Sequence, residues 1–161
     1  MGMAGMIGKS NRRDCGQTLM EFALMLPFLL LLLTGVAEIG RAIFYTVEVN
    51  NAATAGVQYG AQSQITAQNY AQMQIHASDD AQFSGMSASA LNGCTCDPGN
   101  GTSCTYPIIA GTCANFSCPA GQQVVECVQV TTQATITPLF HFPGLPTSYQ
   151  ANGAAVMRVR R

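Results

Sequence analysis

The residues whose chemistry is most constrained by spacing are the cysteines. Six of them, Cys94, Cys96, Cys104, Cys113, Cys118 and Cys127, crowd into the second half of the chain, while Cys15 stands alone near its start. Thiols clustered in this way either oxidise in pairs or share a metal ion. After Cys94-x-Cys96 the gaps are seven, eight, four and eight residues, without the paired Cys-x-x-Cys modules of zinc sites and without a Cys-x-x-Cys-His haem attachment. The expectation is therefore three disulfides in an oxidising compartment and no metal. Fifteen pairings are open, with the restriction that Cys94 and Cys96 take different partners, because a bridge across one intervening residue is strained. Each closed loop of this size contributes about 2–4 kcal/mol, enough to order a glycine-rich segment with little core of its own.

Little else in the chain invites chemistry. His76 and His141 are the only histidines; His76 with Asp79 and Asp80 reads as a surface trio at a helix end. No nucleophile motif, phosphate loop or acid pair points to an enzyme, and no cofactor is expected. Asn100-Gly101-Thr102 and Asn115-Phe116-Ser117 match glycosylation sequons, read here as coincidence. A net charge of −1 with 9% charged residues sets nucleic acid aside as a partner. With 161 residues the chain has room for one small domain beside any membrane segment.

The element that must carry the cysteines across a membrane lies upstream. Phe22 to Ala37 is uncharged, extended by Leu19 and Met20 before it and Ile39 after it, with Glu21 and Glu38 near its ends. A helix needs roughly 17–25 apolar residues to cross a bilayer, so this is a short but adequate span. Lys9, Arg12 and Arg13 precede it against one acid, Asp14, which keeps the N-terminal side cytoplasmic and exports the rest. Pro27 removes one backbone bond inside the helix and predicts a modest kink, or else an unwinding point used when subunits pack. A cleaved signal peptide is the competing reading. The apolar stretch exceeds a signal core of 7–15 residues, and no small-x-small site precedes Glu38 and Arg41.

Just before the span the chain reads Gly16-Gln17-Thr18-Leu19-Met20-Glu21-Phe22. This resembles the processing site of type IV prepilins, which a membrane aspartic peptidase cuts after the glycine. The resemblance implies a mature chain starting at Gln17, a discarded leader, and Glu21 as an intramembrane acid paired with the N-terminal amine of a neighbouring subunit; without that partner, Glu21 simply reaches to the interface. The wider stretch, GQTLMEFALMLPFLLLLLTGVAEIGRAIF followed by NNAATAG, is similar to the TadE-like family of the tight-adherence (Tad) pilus machinery, from Gly16 to about Gly60. The order of glycine, Glu-Phe, proline, leucines and Glu38-x-Gly40-Arg41 carries that likeness. Ala52 and Ala53 lead to Val57 and Gln58 where members often have an arginine, and the cysteine-rich region is not a feature of the family.

Past the span, Ile39, Ala42, Ile43, Thr46, Val47, Asn50, Ala53 and Val57 recur at helical steps and predict a continuing helix with these residues inward. Its small residues, from Ala52 to Ala61, suit close packing, either on the chain's own domain, the commoner outcome, or against another subunit. A Thr66-capped helix to about Ala77, with Tyr70, Met73 and Ile75 or Ala77 inward, is followed by a short helix over Asp80 to Leu91 and a loop from Asn92 to Gln123. Val124–Thr137 and Tyr149–Val159 alternate as strands, giving two or three antiparallel strands, and Arg158, Arg160 and Arg161 read as a solvated end.

The expected fold is α+β and pilin-like: a leader (1–16), a transmembrane helix with its exported extension (17–60) and a disulfide-stapled exported domain (61–161). The expected function is that of a pilus assembly component or minor pilin, single-pass in a bacterial inner membrane with its C-terminal domain periplasmic, or carried into an extracellular fibre. Its partners are other pilin-like subunits, the assembly platform, a prepilin peptidase and the lipid bilayer. Gly16, Gln17, Glu21 and Phe22 serve processing; Glu21, Pro27, Glu38 and Arg41 serve assembly. The alternative is a permanently anchored periplasmic binding or adhesion module that never enters a fibre.

Overall fold

The computed structural model describes residues 14–81, 85–99, 104, 107–111, 113, 116–140, 144 and 146–160. Lys9, Arg12, Arg13, His141, Asn100, Asn115 and Arg161 lie outside them. The chain divides into two compact units that part between Ile39 and Gly40.

Helix α1 runs Asp14–Gly60 and supplies the whole described part of the first unit. Leu, Met, Phe and Ala dominate this stretch, and the straight-chain residues among them lose little rotamer freedom in a helix. The helix continues unbroken through Pro27, which removes only the amide that would have bonded the Ala23 carbonyl. In this unit the large apolar side chains from Leu19 to Leu33 are exposed on every side of the helix.

The second unit receives α1 at Gly40 and adds α2 (Gln64–Ala67), α3 (Tyr70–Asp80) and three strands, β1 (Met86–Asp97), β2 (Gln123–Ile136) and β3 (Tyr149–Arg158). The strands form an antiparallel meander in the order β1-β2-β3, with Val130 opposite Ala90 on one side and Ala155 on the other. Alternation along β2 turns Val128, Val130, Thr132, Ala134 and Ile136 towards the helices. Val49, Ala52, Ala53, Gly56, Val57 and Gly60 of α1 are buried with them.

Small residues make this packing close. A Cβ added to Gly56 would lie 2.7 Å from the Met73 carbonyl oxygen and 3.2 Å from Val130, and one on Gly153 would lie 2.6 Å from the Val49 carbonyl oxygen. That carbonyl also accepts a buried hydrogen bond of 2.6 Å from the Thr132 hydroxyl, which fixes α1 to the sheet. The larger core cluster joins Val57, Met73, Ala77, Val128 and Val130; the smaller joins Val49, Ala134, Ile136 and Ala151, with Tyr45, Met86 and Tyr149 packed on it.

Four sequence readings need correction. The inward stripe of α1 is rotated from the expected one: Ile43, Thr46, Val47 and Asn50 are exposed and Val49 is buried. The apolar residues at 39, 43 and 47 continue the all-round apolar character of the upstream segment, whereas the sheet selects the side with the smallest side chains. Thr66 does not begin a long helix. It closes a capping box with Ser63 around the one-turn α2, and Asn69, whose side chain accepts from the Gln72 amide at 3.2 Å, caps α3. Met73 and Ala77 face the core, while Ile75 is exposed. The expected helix over Asp80 to Leu91 is replaced by β1, which also takes the first part of the supposed loop. Gly85, at φ +96°, precedes the strand, and Ser-Ala-Ser-Ala alternates with period two, a signal masked by the helix propensity of alanine. Finally, Arg158 is no idle solvated end: its guanidinium pairs with Asp97 at 2.8 Å.

Candidate functional site

Two regions answer to the expected site residues, one in each unit. In the first, Gly16, Gln17, Glu21, Phe22, Pro27 and Glu38 are all turns of α1. Glu21 is exposed among Leu19, Met20, Phe22 and Leu24, themselves exposed. Glu21 and Glu38 stand seventeen residues apart, about 25 Å along a helix, so the two acids bracket the apolar stretch and do not meet. Gly16 lies in the first turn, where an added Cβ would meet nothing within 4 Å, so the helix itself does not require glycine there. The helix from Gly16 to Gly60 is long and apolar enough to cross a membrane and is a candidate span. Polar side chains on it turn back to their own helix, as when the Thr34 hydroxyl donates to the Leu31 carbonyl at 2.9 Å. Arg41, the first charged residue of the second unit, holds its guanidinium 5.3 Å from the centre of the Tyr45 ring.

In the second unit the six clustered cysteines form three pairs: Cys94–Cys113, Cys96–Cys118 and Cys104–Cys127, with Cα atoms 5.5, 5.6 and 5.9 Å apart. Cys94 and Cys96 do take different partners. Both lie on one face of β1, whereas Cys127, opposite Gly93, lies on the other face of the sheet. The connection between β1 and β2 is thus stitched to both faces and straddles the outer edge of β1. Its backbone covers that edge through a bridge between Gly93 and Ala110 and a bond from the Gly111 amide to the Asn92 carbonyl. Gly93 has to be small, because the Ile109 carbonyl rests on it. The Ile108 amide donates to the side chain of the buried Gln129 at 2.8 Å, on the face where Val125 and Cys127 are also buried.

One polar network escaped the sequence reading. The Tyr70 hydroxyl donates to the Asn92 side chain at 2.5 Å, and the Asn92 amide donates to Glu126 at 3.0 Å, tying α3 to two strands. Glu126 also rims, with Gln64, Arg158 and Arg160, a cleft of about 220 Å³. The only hint in the sequence was an asparagine inside what proves to be a strand. His76 stacks on Tyr59 at 4.4 Å between ring centres instead of joining Asp79 and Asp80 in a cation site. Among the described residues no cluster of three or more histidine, cysteine, aspartate or glutamate side chains could hold a metal ion.

Against known proteins, residues 16–58 match the family model of TadE-like protein, roughly a quarter of the chain. No curated protein and no solved structure matches the chain. The matched stretch begins at Gly16 in the first turn of α1 and ends on its buried turns against the sheet.

Proposed function

We propose that this chain is a membrane-anchored component of a Tad-type pilus, an assembly subunit or minor pilin, held in the inner membrane by α1 and cut after Gly16 by a prepilin peptidase. The observation that carries this reading is the coincidence of a TadE-like match over residues 16–58 with a candidate span whose apolar side chains are exposed all round. Lipid satisfies such a surface, and the helix meets its own backbone needs inside it. Gly16 fits the processing step because no packing explains a glycine there, so its use is sought in a peptidase cleft that admits an extended backbone. Glu21 would then be the fifth residue of the mature chain. A carboxylate at that depth is costly unless paired, and the new amine of a neighbouring subunit is the partner that turns it into an assembly signal. The role is structural, and the peptide-bond chemistry belongs to the peptidase.

N-terminal sequencing of the protein recovered from membranes of piliated cells should begin at Gln17. Gly16→Val should leave a longer precursor, and Glu21→Ala should be processed yet fail to support fibres. If the leader is retained in wild-type cells, the processing step is wrong and the permanently anchored binding module takes its place.

A further inference from the structure

The face of the sheet turned away from the helices falls into a closed part and an open part. Residues directly opposite in an antiparallel ladder share a face, so this side reads row by row across the strands. Towards Asp97 it is closed, because Cys127 is bridged to Cys104 and the Ile108 amide bonds the Gln129 side chain. Beyond Gln129 come three open rows. Ser89, Thr131 and Ala154 form the first, Ser87, Gln133 and Asn152 the second, and the Thr135–Gln150 pair the third. Thr131 is half-buried and the others are exposed. The first two rows floor a depression of about 500 Å³, a size found among small-molecule sites.

This floor carries no charge and no large apolar side chain. Neither Met86–Cys96 nor Cys127–Met157 contains an Asp, Glu, Lys or Arg, although about a quarter of the residues in an ordinary chain are charged and exposed strands commonly rely on them. The polar groups that remain are of both kinds. The Gln133 side-chain amide donates to the Gln150 side-chain oxygen at 2.6 Å, which leaves the Gln133 oxygen as an acceptor and the Gln150 amide as a donor. The Ser87 and Thr131 hydroxyls donate across the ladder to the Gln133 and Ser89 carbonyls, both at 3.4 Å, and keep their lone pairs outward-accessible as acceptors. The Asn152 side chain, next to Gln133, has no hydrogen-bond partner among the described residues.

We infer that this face binds a neutral carbohydrate, a di- or trisaccharide stretch of an uncharged glycan. Donors and acceptors alternate over three strands and three rows, an area of roughly 10 by 14 Å at ordinary sheet spacings. An ammonium group only donates, a carboxylate only accepts, and neither finds a counter-charge here; a sugar hydroxyl does both. An apolar ligand would cover the carboxamides and leave them unpaired. A second protein surface is the rival occupant, but protein interfaces are anchored by aromatic, methionine or arginine side chains, and these rows hold none. The bond between Gln133 and Gln150 fixes two of the carboxamides in advance, which lowers the ordering cost of binding. Neutral hydrogen bonds in water are individually weak, so millimolar affinity is expected. The site lies wholly in the second unit and does not depend on cleavage after Gly16.

Saturation-transfer NMR reads binding of this strength. The full chain, disulfides intact, is held in dodecylphosphocholine, whose headgroup, unlike that of maltoside detergents, contains no sugar. Maltohexaose, cellohexaose, mannohexaose and chitohexaose are the neutral probes; the hexamers of galacturonate and of glucosamine are the charged ones. The expected result is transfer to ring protons of at least one neutral probe, with affinity lowered about five-fold by Gln133→Ala and by Asn152→Ala. Gln123→Ala should leave it unchanged, because Gln123 is an exposed carboxamide on the same face of β2, ten residues away and opposite Asp97. Ala154→Arg removes no bond but sets a long cation on the floor, and should abolish transfer while near-ultraviolet circular dichroism stays that of the parent. Transfer to none of the neutral probes overturns the inference. Equal affinity in the parent, Gln133→Ala, Asn152→Ala and Ala154→Arg does so too, as does stronger transfer to a charged probe than to any neutral one.

Discussion

The two units treat apolar side chains in opposite ways. Among the described residues the first unit is one helix, with the large side chains from Leu19 to Leu33 outward, Leu24 being 75% exposed. The second unit buries mainly valine, alanine and glycine, with Met73 its largest fully buried side chain, and adds covalent ties. The first is a candidate membrane span, with local backbone bonds and an apolar surface that lipid would satisfy. The second has a core of small side chains that yields little burial per residue, so disulfides make up the difference. One sequence therefore carries two solutions to stability, and the change falls next to Glu38 and Arg41, where charge returns.

Reduction is the strongest probe of this division. The three bridges span 19, 22 and 23 residues, and each contributes roughly 3 kcal/mol on a chain-entropy account. In detergent, reductant should abolish the near-ultraviolet circular dichroism of the second unit and admit protease there, while a protected fragment containing the apolar helix survives. An unchanged melting curve after full reduction would refute the stapling argument.

A matched pair of glycines gives the next effect. Gly56→Val places a side chain against the Met73 carbonyl and Ala77 and should destabilise the second unit by about 2–3 kcal/mol, whereas Gly35→Val meets nothing within 4 Å and should shift it by less than about 0.5 kcal/mol. Thermal unfolding of both variants in the same detergent makes the comparison. Two threonines give the smallest. Thr132→Val removes the bond to the Val49 carbonyl, which keeps its helical partner, so the loss should be about 1 kcal/mol; Thr34→Val removes only a bond within its own turn and should leave chemical denaturation of the second unit unchanged.

The parts legible in the sequence were those set by chain-local rules. The uncharged run after Glu21 announced a helix with no core of its own. The alternation of VVECVQVTTQATIT announced β2, and the spacing of the cysteines announced bridges with separate partners for Cys94 and Cys96. The illegible parts were set by what lies across from a residue. Ser87 to Leu91 became a strand because β2 was there to pair with it, against the preference of its alanines. The inward side of α1 was chosen by the closeness that Gly56, Gly60 and Gly153 permit, which periodicity alone does not reveal. Asn92 and Arg158 found partners 22 and 61 residues away, distances at which no local motif operates.

The stitching of the β1–β2 connection to both faces of its edge strand also bears on how this protein can vary. With its roots fixed covalently, the closure entropy of the intervening chain grows only logarithmically, each doubling of length adding about 0.6 kcal/mol. Insertions in that connection outside Ile108–Gly111, whose backbone covers the edge of β1, would leave the meander, its register and the helix beneath it untouched. The scaffold thus offers a graft position at which an epitope or a new recognition sequence can be displayed.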